Sequence, residues 1–487
     1  MFVLDKNACR KYNRRDHYLK RRGFPLEKHF KDMSIPELIR KEGYDCSCGR
    51  HHSCGLEYFK VGKGAVEALP EALAAIGCKK PFVVMDRNTK KAAGDLVEEV
   101  LKANNIDYVP FVFYSAAEKM EPDEHAVGAL SMAFDPSCDV LLAVGSGVIN
   151  DCCKVVGHVA GKPSMVVCTA PSMDGYASNS SSMIKNRVKT SLYNACPRAI
   201  IADTNILKTA PDVMLRAGLG DMLAKYIAIC EWRYSCFLHT DHYCEEIAGL
   251  MRSCVAKIVA QADGLMKRED DALAAVLEGL VISGIAMAFA EISRPASGLE
   301  HYYSHIWEMK ALQRGEDSDL HGIQVGVGTL LTLWLYENVL NIEKPDHEKA
   351  VAFINGFSQE HWKEEAKRIF GTSSAAILDI EEKAHKNCPE RHAKRLAIIE
   401  EKWDYIKQII AEELPTLKDV HALMKKCGLP LTPGTMNIPV NAEDTRDALA
   451  GARDIRDKYQ TCNLIWDLGL MEEAVAKMDQ AVADLSC

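Results

Sequence analysis

Apolar runs and polar breaks divide the chain into two stretches with different periods. From about residue 56, short apolar runs alternate with amphipathic segments. "PFVVMD" (81–86) leads into the helical pattern "KKAAGDLVEEVLKANN", and "DYVPFVF" (107–113), "DVLLAV" (139–144), "SMVVC" (164–168) and "RAIIAD" (198–203) follow. Runs of this length, separated by helices, predict a mostly parallel sheet covered on both faces. After Thr204 the strand signals stop. "MLAKYIAICEWRYS", "ALAAVLEGLVISGIAMAFA", "AKRLAIIEEKWDYIKQIIAEE" and "EDTRDALAGARDIRDKY" all carry a helical period. The pattern predicts an α/β domain over 56–205 and an all-helical domain over 206–487, after a basic extension and lead-in over 1–55.

Composition narrows the class. A chain of 487 residues fits two domains, and 48% hydrophobic with 26% charged residues is ordinary for a globular protein. A net charge of −9 and a pI near 6.0 argue against a nucleic-acid partner. No apolar run is read as long enough for membrane insertion; "GTLLTLWLY" (328–336) is short and flanked by polar residues. The start, "MFVLDKNACRKYNRRDHYLKRRG", lacks a secretory signal pattern. Eighteen cysteines are scattered, many inside apolar runs (Cys168, Cys230, Cys254), as expected for reduced thiols in the cytoplasm.

Candidate chemistry begins at "LLAVGSGVINDCCKVVGHVAG". Gly145, Ser146 and Gly147 end a strand and open a helix near Ile149, where backbone N–H groups can approach a phosphate. The acid at a strand end, Asp86, precedes this loop instead of following it by about 20 residues, which departs from the usual dinucleotide fingerprint. The next loop, "CTAPSMDGYASNSSS" (168–182), brings Thr169, Ser172, Asp174 and Ser178 to the same edge, with hydroxyls suited to a ribose, an amide or a small polyol.

In "SGLEHYYSHIWEM" (297–309), Leu299, Tyr302, Tyr303 and Ile306 share one helix face; His301, Ser304, His305 and Glu308 share the other. A polar stripe of this kind is usually solvated. Tyr302 replaces the glutamate of H-E-x-x-H, which disfavours zinc hydrolysis. Asp221, expected to start a helix directly after Gly218 and Gly220, and His321, before Gly322, could complete a metal centre with open positions. Spacing alone leaves this as one reading among several.

"VGSGVIND", "CTAPSMDGYAS", "PRAIIADT", "AGLGDMLAKY", "SRPASGLEHYYSHIWEM" and "LHGIQVGVGT", in this order, resemble the sn-glycerol-1-phosphate dehydrogenase family, within the iron-containing alcohol dehydrogenase and dehydroquinate synthase fold. The segment "ARDIRDKYQTCNLIWDLGL" (452–470) resembles its bacterial branch, and the likeness runs from about 45 to 475. The resemblance implies a Rossmann-like dinucleotide-binding domain and a helical metal- and substrate-binding domain. It implies one divalent metal (zinc, or else nickel or iron) on Asp221, His301 and His321, with Asp221 and His305 in the catalytic machinery. Substrate contacts fall on Asp174, Asp221 and His305, and nucleotide contacts on Gly145, Ser146, Gly147, Asp151, Thr169, Ser172 and Ser178. The implied reaction reduces dihydroxyacetone phosphate to sn-glycerol 1-phosphate with NAD(H) or NADP(H), in a homo-oligomer. Lys189 and Arg294 are the expected cations for the substrate phosphate, and Asp86 could accept from a ribose 2′-OH, although Arg87 beside it could do the reverse.

Three rival functions fit the residues less well. A dehydroquinate synthase-like cyclase would place Glu where Asp221 stands, a glycerol dehydrogenase would need no phosphate pocket, and a non-catalytic scaffold would have lost a ligand. "CSCGRHHSCG" (46–55) resembles the Cys-Gly-Arg/Lys-x-His lead-in of the bacterial branch, which implies that it enters the first strand. A second zinc site there is the less favoured reading, because Cys-x-Cys lacks the usual C-x₂₋₄-C spacing.

Overall fold

Alternation decides how the sheet is buried. In strand β5 (Pro81–Asp86), Phe82 and Val84 enter the large core shared with the helices, whereas Val83 and Met85 enter a smaller core on the opposite face. Strands β7 (Val140–Gly145), β8 (Ser164–Cys168) and β11 (Ala199–Asp203) are buried along their whole length, because helices cover both faces. With β4 (Tyr58–Gly62) and β6 (Val109–Phe113) they form a six-stranded parallel sheet, ordered β4-β11-β8-β7-β5-β6. The computed structural model describes residues 24–113, 120–185, 188–238 and 241–486. The first 23 residues of the basic extension lie outside the described residues.

The strand order reverses between β5 and β7, since the chain leaves β5 for the edge strand β6 and returns on β5's other side. Crevices at such reversals, outside the carboxyl ends of the strands, are where open α/β sheets bind ligands. Asp86 and Gly145 are the last residues of these two strands.

Among the described residues no strand of the sheet follows Asp203. The helices that frame the site are α1 (Gly147–Ala160), α2 (Asp212–Leu223), α3 (Lys225–Leu238), α4 (Glu245–Ala260), α5 (Asp270–Ala290), α6 (Leu299–Arg314) and α7 (His321–Leu340). Helix α5 corrects the expectation that no apolar run reaches spanning length. It is long and apolar enough to cross a membrane by length and composition, with a mean hydropathy of 2.1. Most of that window, 72%, is buried inside the fold; a helix apolar all round is here a core helix.

A second correction concerns the end of the loop read over 168–182 and the segment after it. From Ser180 the chain forms an antiparallel hairpin, β9 (Ser180–Lys185) with β10 (Val188–Tyr193). Its strands are rich in serine and lack an apolar run, so periodicity did not reveal them. Three two-residue strands, β1 (Phe24–Pro25), β2 (Tyr44–Asp45) and β3 (His51–His52), make a small separate sheet before β4.

Candidate functional site

The site forms where α2 and α7 meet almost backbone to backbone. Asp221 does not begin a helix, as expected from sequence; it lies near the end of α2, and Gly218 and Gly220 sit inside that helix. Their glycines are required by approach. A Cβ on Gly220 would lie 2.3 Å from the Gly322 carbonyl oxygen, and one on Gly322 would lie 2.0 Å from that of Ala217. His321, as expected, opens α7 immediately before Gly322.

This contact and α6 bring one donor atom each from Asp221, His301 and His321 within 4.8 Å of one another. The polar stripe of α6 therefore points inward: His301 and Glu308 are 4% and 6% exposed, and Ser304 is fully buried. Both ring orientations suit metal ligation. His301 Nδ1 faces Glu300 Oε1 at 2.7 Å, which leaves Nε2 toward Asp221, 3.7 Å from its Oδ1. His321 Nδ1 is 3.0 Å from Ser304 Oγ, which likewise frees its Nε2. Histidine ligands are typically fixed in this way through the nitrogen that does not bind the ion.

Lys225, one turn beyond Asp221 on the adjoining helix, was missed by sequence reasoning although its i,i+4 spacing was available. Its buried ammonium lies 2.7 Å from Asp174 Oδ2, 2.8 Å from Asp221 Oδ1 and 3.0 Å from the Ala296 carbonyl oxygen. Burial works against its charge, but the two carboxylates outweigh burial and hold the lysine pKa above its ordinary value. The reverse balance holds the Asp174 carboxyl below its ordinary value, where Lys225 outweighs burial. Asp221 Oδ2 also accepts from the Asp174 backbone N–H at 2.9 Å, and Ser283 donates to Asp174 Oδ2 at 2.8 Å. Each Asp221 oxygen keeps a lone pair for an ion. The donor set, two imidazoles and a carboxylate with few protein ligands, fits a zinc-, nickel- or iron-type centre with open positions.

His305 stands beside the three donors, its ring centroid 5.8 Å from that of His321 and 6.4 Å from that of His301. Burial drives its pKa down to about 3, and Glu308 offsets this only in part, so the ring is neutral near pH 7. Lys189, on β10, forms an ion pair with Glu308, and both line a cleft of about 340 Å³ with Glu121, Ile184 and Leu312. Arg294 does not share this surface. It is 1% exposed, with its guanidinium donated to Asp241 and to the Tyr459 carbonyl oxygen, so its charge is neutralised inside the fold. Sequence showed that Arg294 lies in a motif segment but not where its side chain turns.

At the sheet edge, Ser146 is the N-cap residue of α1 but makes no side-chain cap bond, so the N–H groups at the start of α1 can donate to another acceptor. A Cβ on Gly145 would meet Ile149 at 2.8 Å, so this tight turn requires glycine. Thr169 follows β8 at the same edge, its N–H donating to the Gly145 carbonyl oxygen at 3.1 Å; Ser172 is half-buried in the following loop. Asp86 caps the turn after β5, accepting from the N–H groups of Asn88 and Thr89, both at 2.7 Å. Asp151 and Ser178 have internal duties instead. Asp151 pairs with Lys154 at 2.8 Å and accepts from the Ser182 N–H at 3.0 Å. Ser178 Oγ is buried between Lys154 and the Gly175 and Ser180 carbonyl oxygens. Both brace the hairpin against α1.

A sheet reversal beside a glycine turn, joined to a helical half with an Asp/His/His cluster, defines a nucleotide-and-metal fold class. Residues 60–211 match the family model for iron-containing alcohol dehydrogenases. The fold superposes on glycerol dehydrogenase from Schizosaccharomyces pombe (TM-score 0.60, 15% identity, 88% of this chain and 91% of that one). It also superposes on 1,3-propanediol oxidoreductase (TM-score 0.56, 15% identity, 88% and 98%). Sequence narrows the class. The glycerol-1-phosphate dehydrogenase (NAD(P)+) of Halalkalibacterium halodurans is 35% identical over 296 residues, 60% of this chain and 74% of the relative. That of Bacillus licheniformis is 31% identical over 354 residues, 71% and 87%. The chain belongs to the glycerol-1-phosphate dehydrogenase family.

Proposed function

We propose that this protein interconverts dihydroxyacetone phosphate and sn-glycerol 1-phosphate, using NAD(H) or NADP(H) and one divalent metal held by Asp221, His301 and His321. The observation that carries the reading is the convergence of these three donors, with both histidines oriented through their other nitrogen, in a chain of this family. When bound, the metal polarises the ketone and the nicotinamide supplies hydride.

The chain's own residues do the rest. Lys225 pairs with both Asp221 and Asp174 and fixes them in place, so that Asp221 stays a ligand and Asp174 remains a substrate contact. His305, neutral and beside the donors, relays a proton by accepting at one ring nitrogen while releasing from the other. Lys189, on the cleft wall, receives the substrate phosphate in exchange for Glu308. Gly145, Ser146, Gly147, Thr169 and Ser172 form the pyrophosphate and ribose edge, with Asp86 at the neighbouring strand end. The sixteen described cysteines are free, which agrees with a reducing cytoplasm, and the family implies a homo-oligomer.

The test follows nicotinamide absorbance with metal-reconstituted protein, offering dihydroxyacetone phosphate beside dihydroxyacetone, with and without EDTA. Chelator-sensitive turnover of the phosphorylated ketone alone, giving the sn-1 product, is the expected result. Turnover of dihydroxyacetone alone would make the protein a glycerol dehydrogenase, and turnover of neither would overturn the assignment.

A further inference from the structure

The motif Cys46-Ser-Cys48, with His52 four residues on, has only three donors by sequence. The fold supplies the fourth. Strands β2 and β3 pair as a hairpin whose loop carries Cys46 and Cys48, and this hairpin lies against the start of α4, where Cys244 is the N-cap residue. One donor atom from each of Cys46, Cys48, His52 and Cys244 lies within 4.8 Å of the others. We propose that these four residues bind a structural zinc ion, separate from the Asp221, His301 and His321 centre.

Three of the six donor–donor distances match the edges of a tetrahedron, and the others lie within 4.8 Å. Zn–S bonds of about 2.3 Å and Zn–N bonds of about 2.0–2.1 Å place ligand atoms about 3.8 Å apart for two sulfurs and about 3.6 Å for sulfur and nitrogen. Cys46 Sγ and Cys244 Sγ are 3.7 Å apart, and His52 Nε2 is 3.5 Å from Cys244 Sγ and 3.3 Å from Cys48 Sγ. A disulfide would need two sulfurs at about 2.05 Å, and it would leave the other two donors without purpose.

The ligands are also prepared. His52 Nδ1 lies 2.8 Å from the Phe289 carbonyl oxygen, so its N–H is spent there and Nε2 faces the three sulfurs. The ring is fully buried, stacked on Phe289 and edge-on to Phe30, which fixes its orientation. Gly49, at φ +84°, turns the loop, while the Cys46 N–H donates to the Arg50 carbonyl oxygen and the Gly49 N–H to that of Cys46, both at 3.0 Å. A strap this short holds both cysteine side chains toward one point.

Four protein ligands leave no position for substrate, so the ion's role is structural. It joins the hairpin that precedes β4 to α4 and, through the Phe289 carbonyl, to α5. A zinc held between the hairpin and α4 staples the lead-in to the helical half and couples its folding to metal.

The experiment measures metal content of the purified full-length chain by mass spectrometry, with zinc-edge X-ray absorption and cobalt(II) reconstitution. Wild type should hold two equivalents, show three sulfur neighbours at about 2.3 Å around one zinc, and give a thiolate-to-cobalt charge-transfer band. The Asp/His/His centre has no thiolate and cannot give that band. Cys48→Ser, at the most exposed of the four ligands, should lose the band and one equivalent; Asp221→Asn should lose the other equivalent and keep the band. A single equivalent without sulfur neighbours in the wild type would overturn the proposal, whether or not Cys48→Ser folds. So would an intact mass lighter by two hydrogens, marking a disulfide. None of these readouts depends on which ketone the enzyme reduces.

Discussion

Gly322→Ala tests whether the backbone contact between α2 and α7 builds the metal centre. The added methyl would sit 2.0 Å from the Ala217 carbonyl oxygen and 2.6 Å from its carbon, against 3.4 Å for ordinary contact. Backbone cannot swing aside as a flexible side chain can, so the helices must part by on the order of 1 Å. That movement separates His321, the preceding residue on α7, from Asp221, four residues after Ala217 on α2. Overpacking of this kind costs about 1–3 kcal/mol of stability, and displacement of about 1 Å at a catalytic constellation costs roughly 10²-fold in rate. We expect Gly322→Ala to lower the melting temperature, lose the Asp221-dependent equivalent of metal and fall about 10²-fold in kcat with dihydroxyacetone phosphate. Gly220→Ala strikes the same interface from the other side, 2.3 Å from the Gly322 carbonyl oxygen, so the double variant should cost less than the two effects combined. Gly128→Ala is the control: nothing lies within 4 Å of its added methyl, and helix propensity favours alanine by up to about 1 kcal/mol. Full metal occupancy and wild-type turnover in Gly322→Ala would refute the reasoning.

Three further outcomes follow from the same geometry. Lys225→Met leaves the buried Asp221 and half-buried Asp174 carboxylates without their cation and should cost about 3–5 kcal/mol; because a bound metal also neutralises Asp221, the melting-temperature loss should be larger after EDTA than with metal, and equal losses would count against this pairing. His321→Ala should abolish both turnover and one equivalent of metal, whereas His305→Gln should keep its metal and lose about 10²–10⁴-fold in rate as a relay residue; metal loss in His305→Gln would move it into the ligand set. His392 is buried and neutral, donating Nε2–H to the Asp467 carbonyl oxygen at 2.9 Å, and burial holds its pKa below 6.5. Its contribution to stability is therefore complete above pH 6.5 and lost as pH falls from there through the depressed folded value, because the unfolded chain protonates first. Thermal melts against pH should show a shallower acid-side decline in His392→Gln; an unchanged slope would contradict it.

Local periodicity carried much of the architecture. The five strands from 81 to 203 and the helical remainder were legible because an apolar run or a helical stripe is a property of neighbouring residues. Gly145 to Gly147 and the start of α7 at His321 were legible for the same reason. Other features were decided by contacts between distant segments. The serine-rich hairpin 180–193 has no apolar signature, and α5, apolar enough to span a bilayer, is a core helix because the fold buries 72% of its most apolar window. The polar stripe of α6 reads as a solvated face until α7 and the 442–452 helix pack against α6 and bury it. Arg294 and Lys189 were equivalent cations in sequence, but Asp241 takes one into the interior and the cleft keeps the other at its wall. Cys46 and Cys48 lack their fourth partner until the fold delivers Cys244, 198 residues beyond Cys46. The sequence by itself determined five strands of the main sheet, the helical character of the remainder and which residues could ligate a metal. Tertiary structure decided which donors share a point, because ligation, desolvation and charge pairing depend on distances that only packing sets.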